Sequence, residues 1–83
     1  MKEDIINSVG DKLDKLDLYI YDVFYGKVDN TNTLTIVLDS NNHIISLNEV
    51  VMATRIINPI LDKLDPIKEN YTLDVYAKEK EDE

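Results

Sequence analysis

The sequence contains no cysteine. That removes disulfide staples and every zinc site built on cysteine pairs or quartets. A single histidine, His43, excludes a multi-histidine metal site, and its place just before a helix reads as an ordinary turn residue. The only two glycines, Gly10 and Gly26, form neither a phosphate-cradling loop nor a GXXG clamp for nucleic acid. No apolar run approaches the ~20 residues needed to cross a bilayer. Met1-Lys2-Glu3-Asp4 lacks the basic-then-apolar order of a secretory leader. These absences lead us to expect a soluble, intracellular chain with no membrane association. Basic residues are scarce as well: nine Lys and Arg face 17 Asp and Glu, for a net charge of −8. Nucleic-acid binding draws on clustered Lys and Arg that displace counterions, so no strong direct nucleic-acid binding is expected. Such a domain is instead attracted to basic proteins, although negative charge also serves solubility alone.

What remains is enough for one small domain. At 83 residues there is no room for a second core, and a core of this size rarely supplies more than ~3–5 kcal/mol. We expect the domain to occupy residues 1–77, with a charged, frayed tail over residues 78–83. Ile5, Ile6, Val9, Leu13 and Leu16 recur at three- and four-residue spacing and predict a first helix from Lys2 to Leu16. Asp17 to Lys27 is rich in Tyr, Ile, Val and Phe and predicts a strand. Strict alternation would place Tyr21, Val23 and Tyr25 on one face of it and Ile20, Asp22 and Phe24 on the other. A polar turn over residues 28–32, without the tight Asn-Gly signal, leads to a second strand from Thr33 to Asp39, so the two form an antiparallel hairpin.

Ser46 and Glu49 form an S-x-x-E capping box at the start of a long helix. Its apolar stripe is Leu47, Val50, Ala53, Ile57, Ile60, Leu61 and Leu64. The stripe stays in phase across Pro59, which predicts one kinked helix rather than two. Asp65-Pro66 ends it, because a residue before proline avoids the helical region. Tyr71 to Ala77 predicts a third strand with Tyr71, Leu73 and Val75 on one face. The expected fold is therefore α+β: a two-layer α-β-β-α-β arrangement with two helices on one face of a small three-stranded sheet.

Catalytic readings are weak. Asp62 and Asp65 lie three apart on a helix, but helices routinely expose such pairs, and no apolar pocket surrounds them to shift their pKa values. Ser40 and Ser46 lack a neighbouring base, and Ser46 is already used as a cap. No enzyme activity and no cofactor are expected. Two surfaces suit an interaction instead. The sheet face turned away from the helices would carry Ile20, Asp22, Phe24, Thr35, Val37, Asp39, Thr72, Asp74 and Tyr76. Of these, Asp22, Phe24, Val37, Asp39, Asp74 and Tyr76 are the candidate protein-binding residues, since mixed carboxylates and apolar groups suit a basic, partly apolar partner. A solvated sheet face with scattered apolar groups explains the same pattern. The second surface is Val51, Met52 and Ile56 at or beyond the margin of the long helix's stripe, which looser packing or a crystal or dimer contact explains about as well.

Certain wording goes further. Tyr21 to Tyr25 reads Y-D-V-F-Y, and L-T-I-V-L-D ends at Asp39. I-S-L-N-E follows at Ile45 to Glu49, then Arg55 and Pro59 at their spacing, and D-P-I with Y-T-L-D-V between Asp65 and Val75. In this order, from about Leu16 to Val75, the chain resembles the N-terminal domain of RimP, the ribosome maturation factor family. The resemblance implies a cytoplasmic, non-enzymatic factor that binds the immature small ribosomal subunit and assists its assembly. Family members contact the basic small-subunit ribosomal protein twelve. It also implies a two-layer α/β unit, with an Sm-like barrel following it in the family. Here Tyr76-Ala77-Lys78 stands where the family has S-S-P-G, and no Sm-like domain follows, which fits either a truncated sequence or a single-domain relative. Phe24 stands where the family often has Glu, and Val51 and Met52 where it is usually polar. Those replacements suit a new partner surface or a self-association surface, and the alternative function is a stand-alone interaction or dimerisation module.

Overall fold

In the computed structural model, which describes residues 1–79, the chain runs α-β-β-α-β. Helix α1 spans Lys2–Leu13, and one turn of 3₁₀ helix, Asp14–Leu16, carries it towards the sheet. Strand β1 is Tyr19–Val28, β2 is Thr31–Asp39, helix α2 is Leu47–Leu64, and β3 is Thr72–Ala77. The last four residues of the expected tail, 80–83, lie outside the described residues.

The two-residue turn between β1 and β2 is tighter than its composition suggested. Val28 pairs with Thr31, and the intervening Asp29 and Asn30 adopt φ of 49° and 66°. Two successive positive φ angles suit the right-handed twist of a hairpin, and Asn and Asp are the non-glycine residues that tolerate them best. Strand β2 takes the middle place, antiparallel to β1 and parallel to β3. A parallel partner needs a crossover, and α2 supplies it.

Both ends of α2 are chemically defined. The Ser46 side chain accepts from the Glu49 amide at 3.2 Å while Glu49 Oε1 accepts from the Ser46 amide at 3.0 Å, so both halves of the capping box are present. The helix continues unbroken through Pro59, which has no N–H to offer the Arg55 carbonyl. It stops at Asp65, which takes a left-handed conformation and returns its amide to the Leu61 carbonyl at 2.8 Å.

One core lies between the helices and the sheet. It joins Ile5, Val9 and Leu13 of α1 to Leu18, Val23, Leu34, Ile36 and Leu38 of the sheet side, and to Ala53, Ile57 and Leu61 of α2. Fully burying an Ile or Leu side chain contributes roughly 1.5–3 kcal/mol, so these few residues hold the layers together. Three expectations change here. Leu47 is not in the core stripe but 81% exposed, because it lies in the first turn of α2, to one side of the arc that meets the sheet. Ile56, expected at the margin, packs against the core as a half-buried residue. Ile20, assigned to the outer sheet face, packs against the core as well.

Candidate protein-binding face

The reversal at Ile20 has a local cause. Ile20 pairs with Leu38, yet the next pair is Asp22 with Val37, so Tyr21 and Asp22 together face one residue of β2. This is a β-bulge, which adds one residue to a strand and switches the side-chain phase on one side of it. From Asp22 onwards the alternation follows expectation: Val23 and Tyr25 turn to the core, and Asp22 and Phe24 stand opposite Val37 and Thr35. Before the bulge the faces exchange. Ile20 goes in, and Tyr19 goes out beside Asp39. A sign of it was present in the sequence. The inward residues Leu18, Ile20, Val23 and Tyr25 are spaced two, three and two apart, and the step of three breaks a period of two.

Among the described residues no helix covers the resulting face, yet its central row is buried. Val37 is only 5% exposed, and Thr33, Thr35 and Asp39 are buried beside it. Side chains from the edge strands provide the cover: Tyr21 and Phe24 from β1 and Tyr76 from β3, each itself about half exposed. Tyr76 pairs in register with Val37, and Asp74 with Thr35. Tyr21, Asp22, Phe24, Val37, Tyr76, Ala77, Lys78 and Glu79 line one open depression of about 650 Å³. Four of the six expected binding residues, Asp22, Phe24, Val37 and Tyr76, thus meet in one place. Asp39 and Asp74 occupy the same face outside the lining.

The carboxylates of this face are not equivalent. Asp22 Oδ1 accepts from Lys2 Nζ at 2.7 Å and from the Val23 amide at 2.8 Å. The Lys2 hydrogen bond first, then the amide, holds its carboxyl below the usual range, so it stays ionised but locally neutralised. Asp39 is largely buried, accepts from the Tyr19 hydroxyl at 3.2 Å, and accepts from the Ser40 amide at 2.8 Å. Loss of solvent raises the Tyr19 phenol, and donation to the Asp39 carboxylate adds to the rise. Asp74 is the exposed carboxylate of β3. Of the three, it is best placed to meet an incoming cation.

Lys78 was expected in a frayed tail. Its amide donates to the Leu38 carbonyl at 2.7 Å, which extends the β2–β3 pairing by one step. Its ammonium sits 4.7 Å from the centre of the Tyr21 ring. Tyr19, Tyr21, Lys78 and Glu79 are therefore members of the face that strand alternation and composition did not reveal. Among the described residues no group of His, Cys, Asp and Glu is arranged to hold a metal ion.

A protein-family comparison matches the chain to the RimP N-terminal domain over residues 8–77, from within α1 to the last residue of β3. The chain belongs to the RimP N-terminal domain family. RimP proteins are ribosome maturation factors, not enzymes, and they act on the small ribosomal subunit. The match takes in the bulge, the hairpin turn, the capping box and every residue of the depression except Lys78 and Glu79. Among the described residues, no helix of this RimP domain is long and apolar enough to cross a membrane.

Proposed function

We propose that this domain assists small-subunit assembly in the cytoplasm by holding a basic ribosomal protein against the helix-free face of its sheet. In the family that protein is the small-subunit protein twelve. One observation carries the reading: Tyr21, Phe24 and Tyr76 stay about half exposed around Val37 on the same face as Asp22, Asp39 and Asp74. Half-exposed aromatics supply large contact area at small entropic cost, and the surrounding carboxylates select a positive partner while repelling bare phosphate. Residues 1–77 act as a single unit in this reading, without strong nucleic-acid binding of their own.

Co-sedimentation with small ribosomal subunits at graded salt tests it. Association should weaken as salt rises, and Asp74→Lys should weaken it further at low salt. Asp22→Lys should do the same, less cleanly, because it also breaks the Lys2 contact. Phe24→Ala should cost about 2 kcal/mol, roughly 30-fold in affinity, as expected of a central aromatic contact. If the domain associates neither with small subunits nor with isolated basic ribosomal proteins at low salt, the proposal fails.

A second reading has its own observation. Ile44 and Leu47 are 80% and 81% exposed, and Val51 and Met52 of α2 are exposed as well. Exposed apolar residues of this kind suit self-association of a stand-alone module. In that case light scattering shows a concentration-dependent rise in mass that Met52→Lys abolishes.

A further inference from the structure

Lys78 already does what a basic partner would have to do. Its ammonium lies over the Tyr21 ring at 4.7 Å, within the range at which a cation is attracted to the electron-rich face of an aromatic ring. Its backbone is fixed by the hydrogen bond to the Leu38 carbonyl, while the residue itself is exposed. The ring is presented by the bulge and shares its depression with Phe24, Tyr76, Glu79 and Asp22, whose carboxylate is already paired with Lys2. Aromatic rings beside carboxylates accept a cation with an apolar stem and do not accept an anion.

We propose that this depression is a binding site for a cationic side chain, specifically an arginine of the partner, and that Lys78 is its built-in occupant, displaced on binding. The proposal rests on the partner-binding reading of the same face and specifies the chemistry recognised there. Arginine fits better than lysine, because a planar, weakly hydrated guanidinium stacks on a ring while its N–H groups reach neighbouring carboxylates. An occupant held in the same chain must leave first, so the resting site is weaker than an empty one would be. Lys78 thereby sets a threshold: a single lysine offers nothing the site does not already hold, whereas an arginine does.

The test uses the whole chain and a capped Arg-Gly-Arg-Gly-Arg peptide, with its lysine counterpart for comparison. Binding at low salt is followed through the ring-proton resonances of Tyr21, Phe24 and Tyr76. Lys78→Met keeps the aliphatic stem and removes the occupant. It should tighten arginine-peptide binding about two- to five-fold, the equivalent of one exposed cation–ring contact. Tyr21→Leu should weaken binding and cancel that gain in the double variant. Lys12→Met on α1, which removes one positive charge away from the face, controls for the change in net charge. The proposal is overturned if Lys78→Met leaves binding unchanged or weakens it, if Lys12→Met matches its gain, or if the lysine peptide binds the unaltered chain as tightly as the arginine one. A gain on Lys78→Met in a chain that never sediments with small subunits would sink the ribosomal reading and keep the site. Co-sedimentation without that gain would sink the site and keep the ribosomal reading.

Discussion

The start of α2 offers the most direct check on how local chemistry supports this fold. Glu49 serves two partners at once. Oε1 accepts from the Ser46 amide at 3.0 Å and from the Ser46 hydroxyl at 3.1 Å, and Oε2 meets His43 Nε2 at 2.7 Å. Ser46→Ala removes the acceptor of the Glu49 amide and the hydroxyl that Glu49 holds, but leaves the Ser46 amide contact available. Loss of an N-terminal cap costs ~1 kcal/mol within a range of about 0.5–2. We expect a value near the middle of that range, because the capped turn is exposed and water replaces part of what is lost. In a domain of this length, 1 kcal/mol lowers Tm by roughly 4–8 °C. Thermal and urea unfolding followed by circular dichroism will measure it, with an unchanged urea m-value showing that the unfolded state is not altered. Because Glu49 couples the cap to the histidine, Ser46→Ala and His43→Gln should be non-additive in a double-mutant cycle. A loss below about 0.3 kcal/mol, or strict additivity of the pair, would refute this account of the helix start.

Two further predictions concern the loops. The Glu49 hydrogen bond raises the His43 pKa above 6.5, outweighing partial burial, and Asp17 adds a smaller push in the same direction. A raised histidine pKa contributes stability that is fully present below 6.5 and is lost as pH rises through the folded-state value. Glu49 remains ionised in that window, since the Ser46 amide and then His43 lower its own pKa. The stability gap between the unaltered chain and His43→Gln should therefore be larger at about pH 5.5 than at about pH 8. NMR titration should place His43 above its unperturbed value, with Glu49→Gln moving it back down, and a value at or below 6.5 would contradict the geometry. In the hairpin turn, Asn30 has φ of 66°. Asn30→Gly should leave stability unchanged or raise it, whereas Asn30→Val should cost at least ~1–2 kcal/mol, because a branched side chain is strained there. Denaturant unfolding of the two variants gives the comparison, and a neutral Asn30→Val would count against the turn.

Much of this molecule could be read residue by residue, because the relevant interactions are local. The order of elements follows from apolar periods of 3.6 and 2, and the capping box from two residues three apart. The inward faces of α1 and of β2 follow from the same spacing. The outward residues of β2 and β3 were also legible, since neither strand is bulged and their alternation holds from end to end. Strand order is a different matter: it depends on which strand ends meet across α2, and no spacing within a strand encodes that.

The candidate face shows where local reading stops. Its six expected residues do lie on one side of the sheet, but Tyr21 joins them only because the bulge turns it outward and sends Ile20 into the core. A bulge is chosen by how β1 must twist to fit both β2 and the helices, which is a property of the packed layers rather than of the strand. Lys78 joins the face because β3 lies parallel to β2 and extends its pairing as far as the Leu38 carbonyl. Leu47 leaves the core because it lies beyond the arc of α2 that reaches the sheet, although its helical phase sits near the stripe. The sequence by itself determined two amphipathic helices, three strands, a net negative surface and the absence of metal or nucleophile chemistry built on cysteine. Only the tertiary structure decided that aromatic rings from both edge strands close over Val37, and that a lysine from the end of β3 reaches the ring displayed by the bulge. The physical reason is that spacing along the chain sets a side chain's face only where the helix or strand is regular, whereas a bulge and the company on each face are set by strands that meet only after folding.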